Sequence, residues 1–508
     1  MKEKIVHYIR AGYAGLYLVS HEEPRVEAEL KEVAAQLGHG LFAWSITQGL
    51  IDTAKGTARD CNEPVEALAA AAELPENSIL LLRDFHQFFD EPNPVLTRKL
   101  KDVIRAARTT GQTIAILGCR LALPPELERE FAIIEFALPE REQLGLVLDG
   151  ILASHNETRA AERKSPMAKP ESSVLSTLID AARGMTTTEA ENAYALSLVE
   201  TGGFSAEIVA REKAQAVKRN GLLELMETRE SLNSIGGLDQ LKEWLLKRRE
   251  AFTPRAIQYG LPTPKGVLML GVPGCGKSLT AKATAGVFGV PLLRLDAGRI
   301  FAGIVGQSES NLRSVIQTVE AIAPCVLWID ELEKGFAGSQ SSGSTDGGTS
   351  SRVFGSFISW MQEKRSPVFI VATANDVSQL PPEMLRKGRW DELFFVDLPT
   401  REEREAIWQI QIGKFHRDAP SFDLRQLAKV TESFTGSEIE QVFIEALYRA
   451  FEQEQEPTDL TIGEVLVDFV PLSKLMGESM TALRTWAKGR ARPATTPPSE
   501  RSTRRIAA

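Results

Sequence analysis

The sequence predicts an α/β protein built from two parallel-sheet domains, of which the second is followed by a small helical domain. Two observations predict this class. Short apolar runs alternate with amphipathic segments over residues 15–139 and again over residues 263–400, which is typical of buried parallel sheets covered by helices. The chain of 508 residues is also too long for one core, so several domains are expected.

The predicted strands are short and uniformly apolar, as strands buried on both faces are. In the first region they are GLYLVS (15–20), LFAWSI (41–46), SILLLRD (78–84), QTIAILG (112–118) and AIIEFALP (132–139). In the second region they are GVLMLG, PLLRLD, CVLWID, VFIVATA and LFFVDLP. The same order of strands and helices is therefore expected twice.

Other segments recur in the same order, roughly 250 residues apart, which indicates an internal repeat. LPPELEREF precedes one apolar run as LPPEMLRKGRW precedes another. RGMTTTEAENAYALSLVE (183–200) parallels ESFTGSEIEQVFIEALYRA (432–450), each a turn followed by an amphipathic helix. The chain is predicted to contain two copies of one module.

Composition predicts an ordinary globular protein, with 43% hydrophobic and 25% charged residues and a net charge of −9. That charge gives no reason to expect a nucleic acid partner over most of the surface. The four cysteines have no metal-ligand spacing, and no run approaches the length needed to span a bilayer. We therefore expect a cytoplasmic protein without a membrane span, or a stromal one if the gene is plastid-encoded.

The stretch GVPGCGKS (271–278) lies between a strand and a helix, which is the context that makes this motif a phosphate-binding loop. Its glycines let successive backbone amides point at phosphate oxygens. Lys277 is expected to bridge the β- and γ-phosphates of ATP, and Ser278 to ligate Mg²⁺. The residues predicted to bind the phosphates are Gly271, Val272, Pro273, Gly274, Cys275, Gly276, Lys277, Ser278 and Leu279.

Polar residues follow the next strands at the positions where hydrolysis would occur. Asp330 ends the strand CVLWID and is expected to hold Mg²⁺ through its water shell, and the adjacent Glu331 to polarise the attacking water. Asn375 ends VFIVATAN and is expected to orient that water. The sequence therefore predicts an ATPase that uses ATP and Mg²⁺.

These motifs together resemble the AAA family of ATPases over roughly residues 230–450. The segments NSIGGLDQLKEWL, PKGVLMLGVPGCGKS, VGQSESNLR, WIDE, VATAN and LRKGRWDELFFVDLP occur in the order found in that family. The chain also resembles a subgroup of uncharacterised AAA proteins encoded in red-algal chloroplasts and cyanobacteria. The resemblance covers residues from about 5 to 470 and includes RDFH and SHEE.

The resemblance implies a ring, most often of six subunits, in which each chain completes the site of its neighbour. Arg386 and Arg389 match the arginine fingers that reach into the neighbouring nucleotide site. Ile235 and Gly236 match the adenine pocket, and Gly436 and Ser437 match the part of the lid that lies near the base and sugar. Gln411 stands where many relatives have an adenine-contacting histidine, and Trp390 is expected to pack at the subunit interface.

The first copy lacks this chemistry. GLYLVS leads into HEEPRVE instead of a glycine-rich loop, and Glu22 and Glu23 would repel phosphate. The first copy is therefore predicted to have a structural or partner-binding role. The predicted organisation is a degenerate ATPase-like domain (1–154), a linker and helical lid-like segment (155–222), an AAA large domain (223–400), a helical lid (401–470) and a flexible basic tail (471–508).

Three functions remain open. The chain could be a ring-forming remodeller of a protein partner, acting through the pore residues Phe301, Ile304 and Val305. It could be a nucleotide-dependent switch that binds a partner and threads nothing. Nucleic-acid handling is the least favoured, because it depends on the basic tail alone. The partner cannot be identified from the sequence.

Overall fold

The computed structural model describes residues 1–219, 221–227, 230–301, 307–335, 347–386 and 388–496. The chain forms two compact units, Met1–Lys213 and Ala214–Ala508. Ile304 and Val305, and most of the Gly/Ser-rich stretch 338–351, lie outside the described residues. Among the helices in the described ranges, none is both long and apolar enough to cross a bilayer.

The first unit contains a seven-stranded sheet in the order β4-β3-β2-β5-β6-β1-β7. All neighbours are parallel except the pairs β2–β3 and β3–β4, which are antiparallel. The strands are β1 (Gly15–Val19), β2 (Gly40–Ser45), β3 (Gly49–Asp52), β4 (Thr57–Arg59), β5 (Ser78–Arg83), β6 (Thr113–Gly118) and β7 (Ala132–Glu135). The five parallel strands agree with the five apolar runs of the first region.

Helices cover both faces of this sheet, so that two apolar cores form, one on each side. They are α1 (Lys2–Arg10), α2 (Glu23–Leu37), α3 (Pro64–Ala70) and α4 (Pro94–Thr110). The helix α4 is typical: Leu96, Leu100 and Ile104 recur at helical spacing and are buried. Its first turn is capped by Asn93, whose side chain accepts a hydrogen bond from the amide of Leu96.

Four helices complete the unit and pack around a separate apolar core. They are α5 (Arg141–Ala161), α6 (Ser172–Ala182), α7 (Thr187–Thr201) and α8 (Ala206–Arg219), the last of which crosses the division between the units. The predicted boundary after residue 154 is therefore wrong in detail, because α5 continues through it. The apolar face of α5, which includes Leu144, Leu148 and Leu152, holds that helix in the core.

The second unit repeats the topology of the first. Its sheet has the order β14-β13-β9-β12-β11-β10-β8, and the inner five strands match β7-β1-β6-β5-β2 of the first sheet position by position. The strands are β8 (Leu223–Met226), β9 (Gly266–Gly271), β10 (Leu292–Leu295), β11 (Cys325–Ile329), β12 (Val368–Ala374), β13 (Glu392–Val396) and β14 (Arg492–Pro493). The predicted fold class, an α/β parallel-sheet domain with a helical lid preceded by a second α/β domain of the same topology, is confirmed.

The large domain of this unit places helices on both faces of the sheet. They are α9 (Asp239–Leu246), α10 (Pro254–Tyr259), α11 (Lys277–Phe288), α12 (Ala297–Phe301), α13 (Gln307–Ile322) and α14 (Gly347–Glu363). The lid consists of α15 (Arg401–Lys414), α16 (Leu424–Val430), α17 (Gly436–Glu452) and α18 (Asp459–Asp468) around its own apolar core. The first of these helices begins at Arg401, and the lid boundary at residue 401 stays a prediction.

The predicted flexible tail from residue 471 is wrong for the part that the structure describes. Two helices, α19 (Leu472–Leu475) and α20 (Gly477–Ala487), follow the lid, and the edge strand β14 then pairs with β13. Ala494 is buried and joins the backbones of Phe395 and Leu241 by hydrogen bonds of 2.9 and 3.1 Å. Only residues 497–508 of the predicted tail lie outside the described residues.

Candidate active site

A cavity of about 330 Å³ lies at the carboxyl ends of β9, β11 and β12, where the lid meets the large domain. This is the edge at which parallel α/β sheets bind ligands. Fourteen of the predicted site residues line it: Ile235, Gly236, Pro273, Gly274, Cys275, Gly276, Lys277, Ser278, Leu279, Asp330, Glu331, Asn375, Gly436 and Ser437. Gly271, Val272, Arg386 and Arg389 are not among the residues that line it.

The loop between β9 and α11 has the backbone that a phosphate cradle needs. Gly274 and Gly276 have φ angles of +76° and +89°, which side chains disfavour. A Cβ atom at Gly274 would lie 2.1 Å from Oγ of Ser437, so the lid also requires glycine there. Because the loop leads directly into the N-terminus of α11, its amides and the helix dipole favour an anion at this point.

Lys277 is held at the bottom of the cradle. Its ammonium group is buried and donates hydrogen bonds to the carbonyls of Gly271 and Val272, at 2.7 and 2.8 Å. Burial lowers the pKa of Lys277 to about 8, because the charged form loses its hydration. The carbonyls of Gly271 and Val272 therefore orient the ammonium group of Lys277.

ATP affinity should therefore fall as pH rises above about 8. Bound phosphates favour the ammonium form of Lys277, so ATP binding takes up a proton wherever the free protein has lost it. We expect the affinity to weaken by up to about tenfold per pH unit in that range. Titration of a fluorescent ATP analogue between pH 7 and 9.5, at constant ionic strength, measures the effect.

The matched control is Cys275→Ser in the same loop. Burial raises the pKa of the Cys275 thiol to about 12, so its removal should leave the pH dependence unchanged. The high pKa also means that Cys275 is present mainly as the thiol, whereas the thiolate is the reactive form. An affinity that stays constant up to pH 9.5 would contradict the prediction for Lys277.

Asp330 accepts two hydrogen bonds that fix its carboxylate beside the cradle. Oδ1 of Asp330 lies 3.2 Å from Oγ of Ser278 and 2.6 Å from Oγ1 of Thr373. A hydroxyl and a carboxylate in contact are suitable ligands for Mg²⁺, which prefers oxygen and keeps several waters. In the described part of the chain no three His, Cys, Asp or Glu residues form a metal cluster. The residues present therefore fit a cation that also binds phosphate.

Glu331 and Asn375 lie together at the mouth of the cradle. Nδ2 of Asn375 is 3.4 Å from Oε1 of Glu331, and the amide of Asn375 donates to Oε1 of Glu333 at 2.9 Å. Glu331 adopts a left-handed backbone, with φ of 49°, and its amide donates to Oγ1 of Thr373 at 3.0 Å. Its carboxylate also forms an ion pair with Lys334. A water between the carboxylate and the amide could be both oriented and deprotonated.

Thr373 and Glu333 were missed by the sequence reasoning. Thr373 lies on β12 two positions before Asn375, which follows the strand directly. The alternation of side chains along a strand is the one signal that could have identified Thr373. Glu333 is buried, its Oε2 has no partner among the described residues, and burial raises its pKa. Nothing local in IDELEK distinguishes it from a surface glutamate.

The opposite end of the cavity provides an apolar slot. A Cβ atom at Gly236 would lie 2.4 Å from Cγ1 of Ile407, so only glycine fits against that helix. The backbone that follows Gly236 is held by Glu403, whose Oε1 accepts a hydrogen bond from the amide of Leu238 at 2.9 Å. Ile235 and Gly236 therefore lie where the resemblance to the family implies an adenine contact.

Gln411 is a further polar group in this slot. Its side chain is buried, it lines the cavity, and its Oε1 has no hydrogen-bond partner among the described residues. A buried carbonyl oxygen without a partner suits the amino group of a purine. Whether glutamine at this position makes the contact that histidine makes in many relatives stays a prediction.

The lid reaches the cradle through the start of α17. The amide and Oγ of Ser437 lie 3.1 and 3.3 Å from the carbonyl of Gly274. Thr435 and Glu438 form a capping box that fixes this turn. A movement of the lid would therefore change the contacts of Ser437 with the phosphate-binding loop.

Arg386 and Arg389 lie on a loop outside the cavity of their own chain. Arg386 is exposed, and Nε of Arg389 is buried without a partner among the described residues. Trp390 anchors the loop: it belongs to the core of the large domain and donates from Nε1 to the carbonyl of Met384 at 2.9 Å. The expectation that Trp390 packs at a subunit interface is wrong, because this side chain is buried within the unit.

The segment after the lid contributes to the walls of the cavity. Arg484 of α20 forms a bidentate ion pair with Asp397, a residue that lines the cavity. Oγ1 of Thr495 donates to Oε1 of Glu403 at 2.7 Å. These contacts occupy side chains that the sequence places in a solvated basic tail.

In the first unit a carboxylate occupies the loop that corresponds to the cradle. Glu22 directly precedes α2, is buried, and accepts from the amide of Thr187 at 2.5 Å. Thr187 stands at the start of α7, whose capping box between Thr186 and Glu189 matches that of α17. The other oxygen of Glu22 pairs with Arg25 at 2.6 Å. An internal anion therefore bridges the loop and the lid-like helix of the first unit.

Glu22→Gln should destabilise the first unit by about 2 kcal/mol, because a buried ion pair loses one partner while Arg25 stays. Hydrogen exchange of the full chain should show faster exchange of the amides at the start of α7. Glu23→Gln is the matched control, since Glu23 is half-exposed and lies 3.4 Å from Arg83; it should change exchange little. Equal exchange in both variants would contradict the role assigned to Glu22.

Family comparisons agree with this architecture. Residues 1–136 match the description "SpoVK-like AAA ATPase, N-terminal domain", and residues 142–220 match its second domain. Residues 267–398 match "ATPase family associated with various cellular activities (AAA)", and residues 421–462 match the AAA+ lid domain. The resemblance drawn from the motifs is confirmed.

Similar proteins extend over nearly the whole chain. The "Uncharacterized AAA domain-containing protein ycf46" of Trieres chinensis is 38% identical over 96% of both chains. The protein of the same name from Pyropia yezoensis is 37% identical over 95% of this chain and 97% of its own length. The human "ATPase family gene 2 protein homolog A" is 33% identical over 44% of this chain and 25% of its own length.

Proposed function

The chain belongs to the AAA family of ATPases, and we propose from this premise that its second unit hydrolyses Mg·ATP to ADP and phosphate. One observation supports this most directly. Lys277, the Ser278–Asp330 pair and the Glu331–Asn375 pair line a single cavity at the carboxyl edge of one sheet. Phosphoryl transfer to water needs a cation, a set of metal ligands, and a base beside an amide donor.

The residues of this chain would divide the work as follows. Lys277 holds the β- and γ-phosphates, while the amides of the glycine-rich loop bind their oxygens. Ser278 and Asp330 hold the metal ion, which neutralises charge on the phosphates when bound. Glu331 accepts the proton of the attacking water, and Asn375 orients that water from the other side. Thr373 keeps the carboxylate of Asp330 in position through its 2.6 Å hydrogen bond.

We further propose that the active form is a closed ring, with six subunits as the family resemblance implies. Arg386 and Arg389 do not line the cavity of their own chain, so they are available to a neighbouring site. Large apolar side chains are exposed both on the lid, at Tyr448 and Phe451, and on the large domain, at Tyr259. Exposed apolar patches on two different surfaces suit a head-to-tail assembly.

The biological role that we favour is remodelling or regulation of a protein partner. The alternative is a nucleotide-dependent switch that changes its affinity for a partner and threads nothing. The bridge between Glu22 and Thr187 favours the switch for the first unit, because it fastens a lid-like helix without nucleotide. The basic residues Arg484 and Arg492 pair with Asp397 and Glu392, which weakens the nucleic-acid alternative.

The experiment that distinguishes these roles uses Glu331→Gln in the native host. A protein that binds ATP without cleaving it should retain its partner, which affinity purification and mass spectrometry then identify. A remodeller of this kind should fail in its cellular task, whereas a switch held in its ATP state should still signal. Absence of any ATP-dependent partner would contradict both roles.

A further inference from the structure

Three reactive side chains meet at the carboxyl edge of the first sheet, far in sequence from the nucleotide site. Asp84 and His86 follow β5, and Cys119 follows β6 directly. In the strand order, β5 and β6 correspond to β11 and β12 of the second sheet. Asp84 also shares the left-handed backbone of Glu331, with φ of 52°. The first copy thus has a different set of reactive groups at the edge where the second copy has its hydrolytic residues.

The three side chains form an ordered series of contacts. Sγ of Cys119 lies 3.6 Å from Nε2 of His86, which is hydrogen-bonding distance for sulfur. Nδ1 of His86 lies 3.9 Å from Oδ1 of Asp84. The imidazole is 2% exposed, and its Nδ1 has no hydrogen-bond partner among the described residues. A thiol beside an imidazole base, with a carboxylate near the other ring nitrogen, is an arrangement that can activate a nucleophile.

The surrounding chain holds this arrangement rigidly. A Cβ atom at Gly118 would lie 2.5 Å from Nδ1 of His86, so the imidazole can pack against the strand only because that residue is glycine. The loop after Cys119 is pinned by Tyr17, whose hydroxyl donates to the carbonyl of Arg120 at 2.7 Å and accepts from the amide of Ala122 at 3.1 Å. The thiol and the imidazole therefore keep their relative positions.

The charges around His86 suit proton transfer from the thiol. Burial lowers the pKa of His86, and Arg120 acts in the same direction, while Asp84 and Asp90 oppose them. The imidazole is therefore neutral near pH 7 and can accept a proton. Arg120 is adjacent to Cys119 in the chain and pairs with Asp90.

Access distinguishes Cys119 from the other cysteines, all four of which the structure describes. Cys119 is exposed, Cys61 and Cys325 are buried, and Cys275 is intermediate. Burial raises the pKa of Cys61 and raises that of Cys275 to about 12. A small electrophile in solution should therefore react at Cys119 first.

We propose that Cys119 is the nucleophile of a thiol–disulfide exchange site that takes a small disulfide such as glutathione disulfide. Sγ of Cys119 gives its proton to Nε2 of His86, and the thiolate attacks one sulfur of the disulfide. The S–S bond of the ligand breaks as the new bond to Sγ forms. The departing thiolate takes the proton back from His86, which leaves a mixed disulfide on Cys119 and one free thiol. Asp84 acts as a positioning residue through His86.

The first test compares Cys119 in the folded and unfolded chain. Full-length protein is treated with glutathione disulfide at pH 7, with and without urea, and mass spectrometry follows the mixed disulfide at each cysteine. We expect Cys119 to react at least tenfold faster in the folded protein. A folded-state rate equal to or below the unfolded-state rate would overturn the proposal, because exposure alone would then account for the reaction.

The second test follows the pH dependence of the Cys119 rate in variants. Asp84→Asn keeps a residue that tolerates the left-handed backbone, and His86→Gln removes the base. In both, the rate at pH 7 should fall and its rise with pH should become steeper, because the thiol loses the group that accepts its proton. Asp102→Asn, an exposed carboxylate on α4 that pairs with Arg98, is the control and should behave as wild type.

Asp84→Asn keeps this test decisive even if His86→Gln does not fold, since the Asp84 side chain is 62% exposed. A wild-type pH profile in Asp84→Asn would show that the carboxylate does not act on the imidazole and would overturn its role. Mixed-disulfide formation that survives Cys119→Ser unchanged would overturn the site itself.

Discussion

Replacing Glu331 by glutamine should lower kcat for ATP hydrolysis by about 10²–10³-fold while leaving ATP affinity within about threefold of wild type. The amide cannot accept the proton of the attacking water, but it has nearly the same shape as the carboxylate. The contact with Nδ2 of Asn375, now 3.4 Å, would change from a donor–acceptor pair to one that needs a rotated amide. The cradle around Lys277 would be unaffected.

Phosphate release under saturating Mg·ATP and equilibrium binding of a fluorescent analogue measure the two quantities. Lys334→Ala is the matched control, since Lys334 forms the ion pair with Glu331 and lies on the exposed side of it. Its removal should change kcat by less than about threefold, because an exposed ion pair contributes little. A Glu331→Gln protein with kcat within tenfold of wild type would show that another group acts as base.

Mixing two inactive variants should restore hydrolysis if the fingers act across an interface. Arg386→Ala/Arg389→Ala keeps an intact cradle and base, and Glu331→Gln keeps intact fingers. Each variant alone should lose about 10²-fold or more in kcat. The arginine variant lacks the positive charge beside the γ-phosphate, and Glu331→Gln lacks the base. In randomly mixed rings about a quarter of the interfaces combine an intact base with intact fingers, so about a quarter of the wild-type rate should return.

The same mixture also shows which result would contradict action of the arginines across an interface. If Arg386 and Arg389 acted only within their own chain, no mixed interface would be complete, and the rate would stay at the level of the separate variants. Arg401→Ala in place of the double variant is the control, because Arg401 lies on the lid and pairs with Glu405. That chain should remain active alone.

The sequence was informative about the fold wherever local pattern and buried environment agree. The apolar runs of both regions became parallel strands of the two sheets, and all of them except the edge strand β7 lie inside a sheet, where burial on both faces leaves a continuous apolar signature. The other outer strands had no such signature. The hairpin β3–β4 is short and half-polar, and β14 is an Arg-Pro pair that joins β13 by backbone pairing and by the ion pair between Arg492 and Glu392. Long-range pairing of this kind cannot be read from composition.

In the candidate site, too, the residues with a local sequence pattern were predicted and those that depend on distant partners were not. The glycine-rich loop, Asp330, Glu331 and Asn375 were predicted because each follows a strand in a spacing that the chemistry requires. Thr373 and Glu403 were missed since their roles come from partners 43 and 165 residues away. Glu403 has two roles. It forms a capping box with Thr400 at the start of α15, which a sequence pattern can indicate. One of its oxygens also accepts a hydrogen bond from the amide of Leu238, which a sequence pattern cannot indicate.

The edge strand β14 has a practical consequence for anyone who shortens this protein. Arg484, Thr495 and Thr496 hold Asp397, Glu403 and Asp239 by hydrogen bonds, so a deletion from residue 484 would loosen the purine end of the pocket as well as remove positive charge. A cut after Thr496 removes Arg501, Arg504 and Arg505 and spares those contacts. Only that shorter truncation can separate an electrostatic contribution of the terminus from a defect in the enzyme.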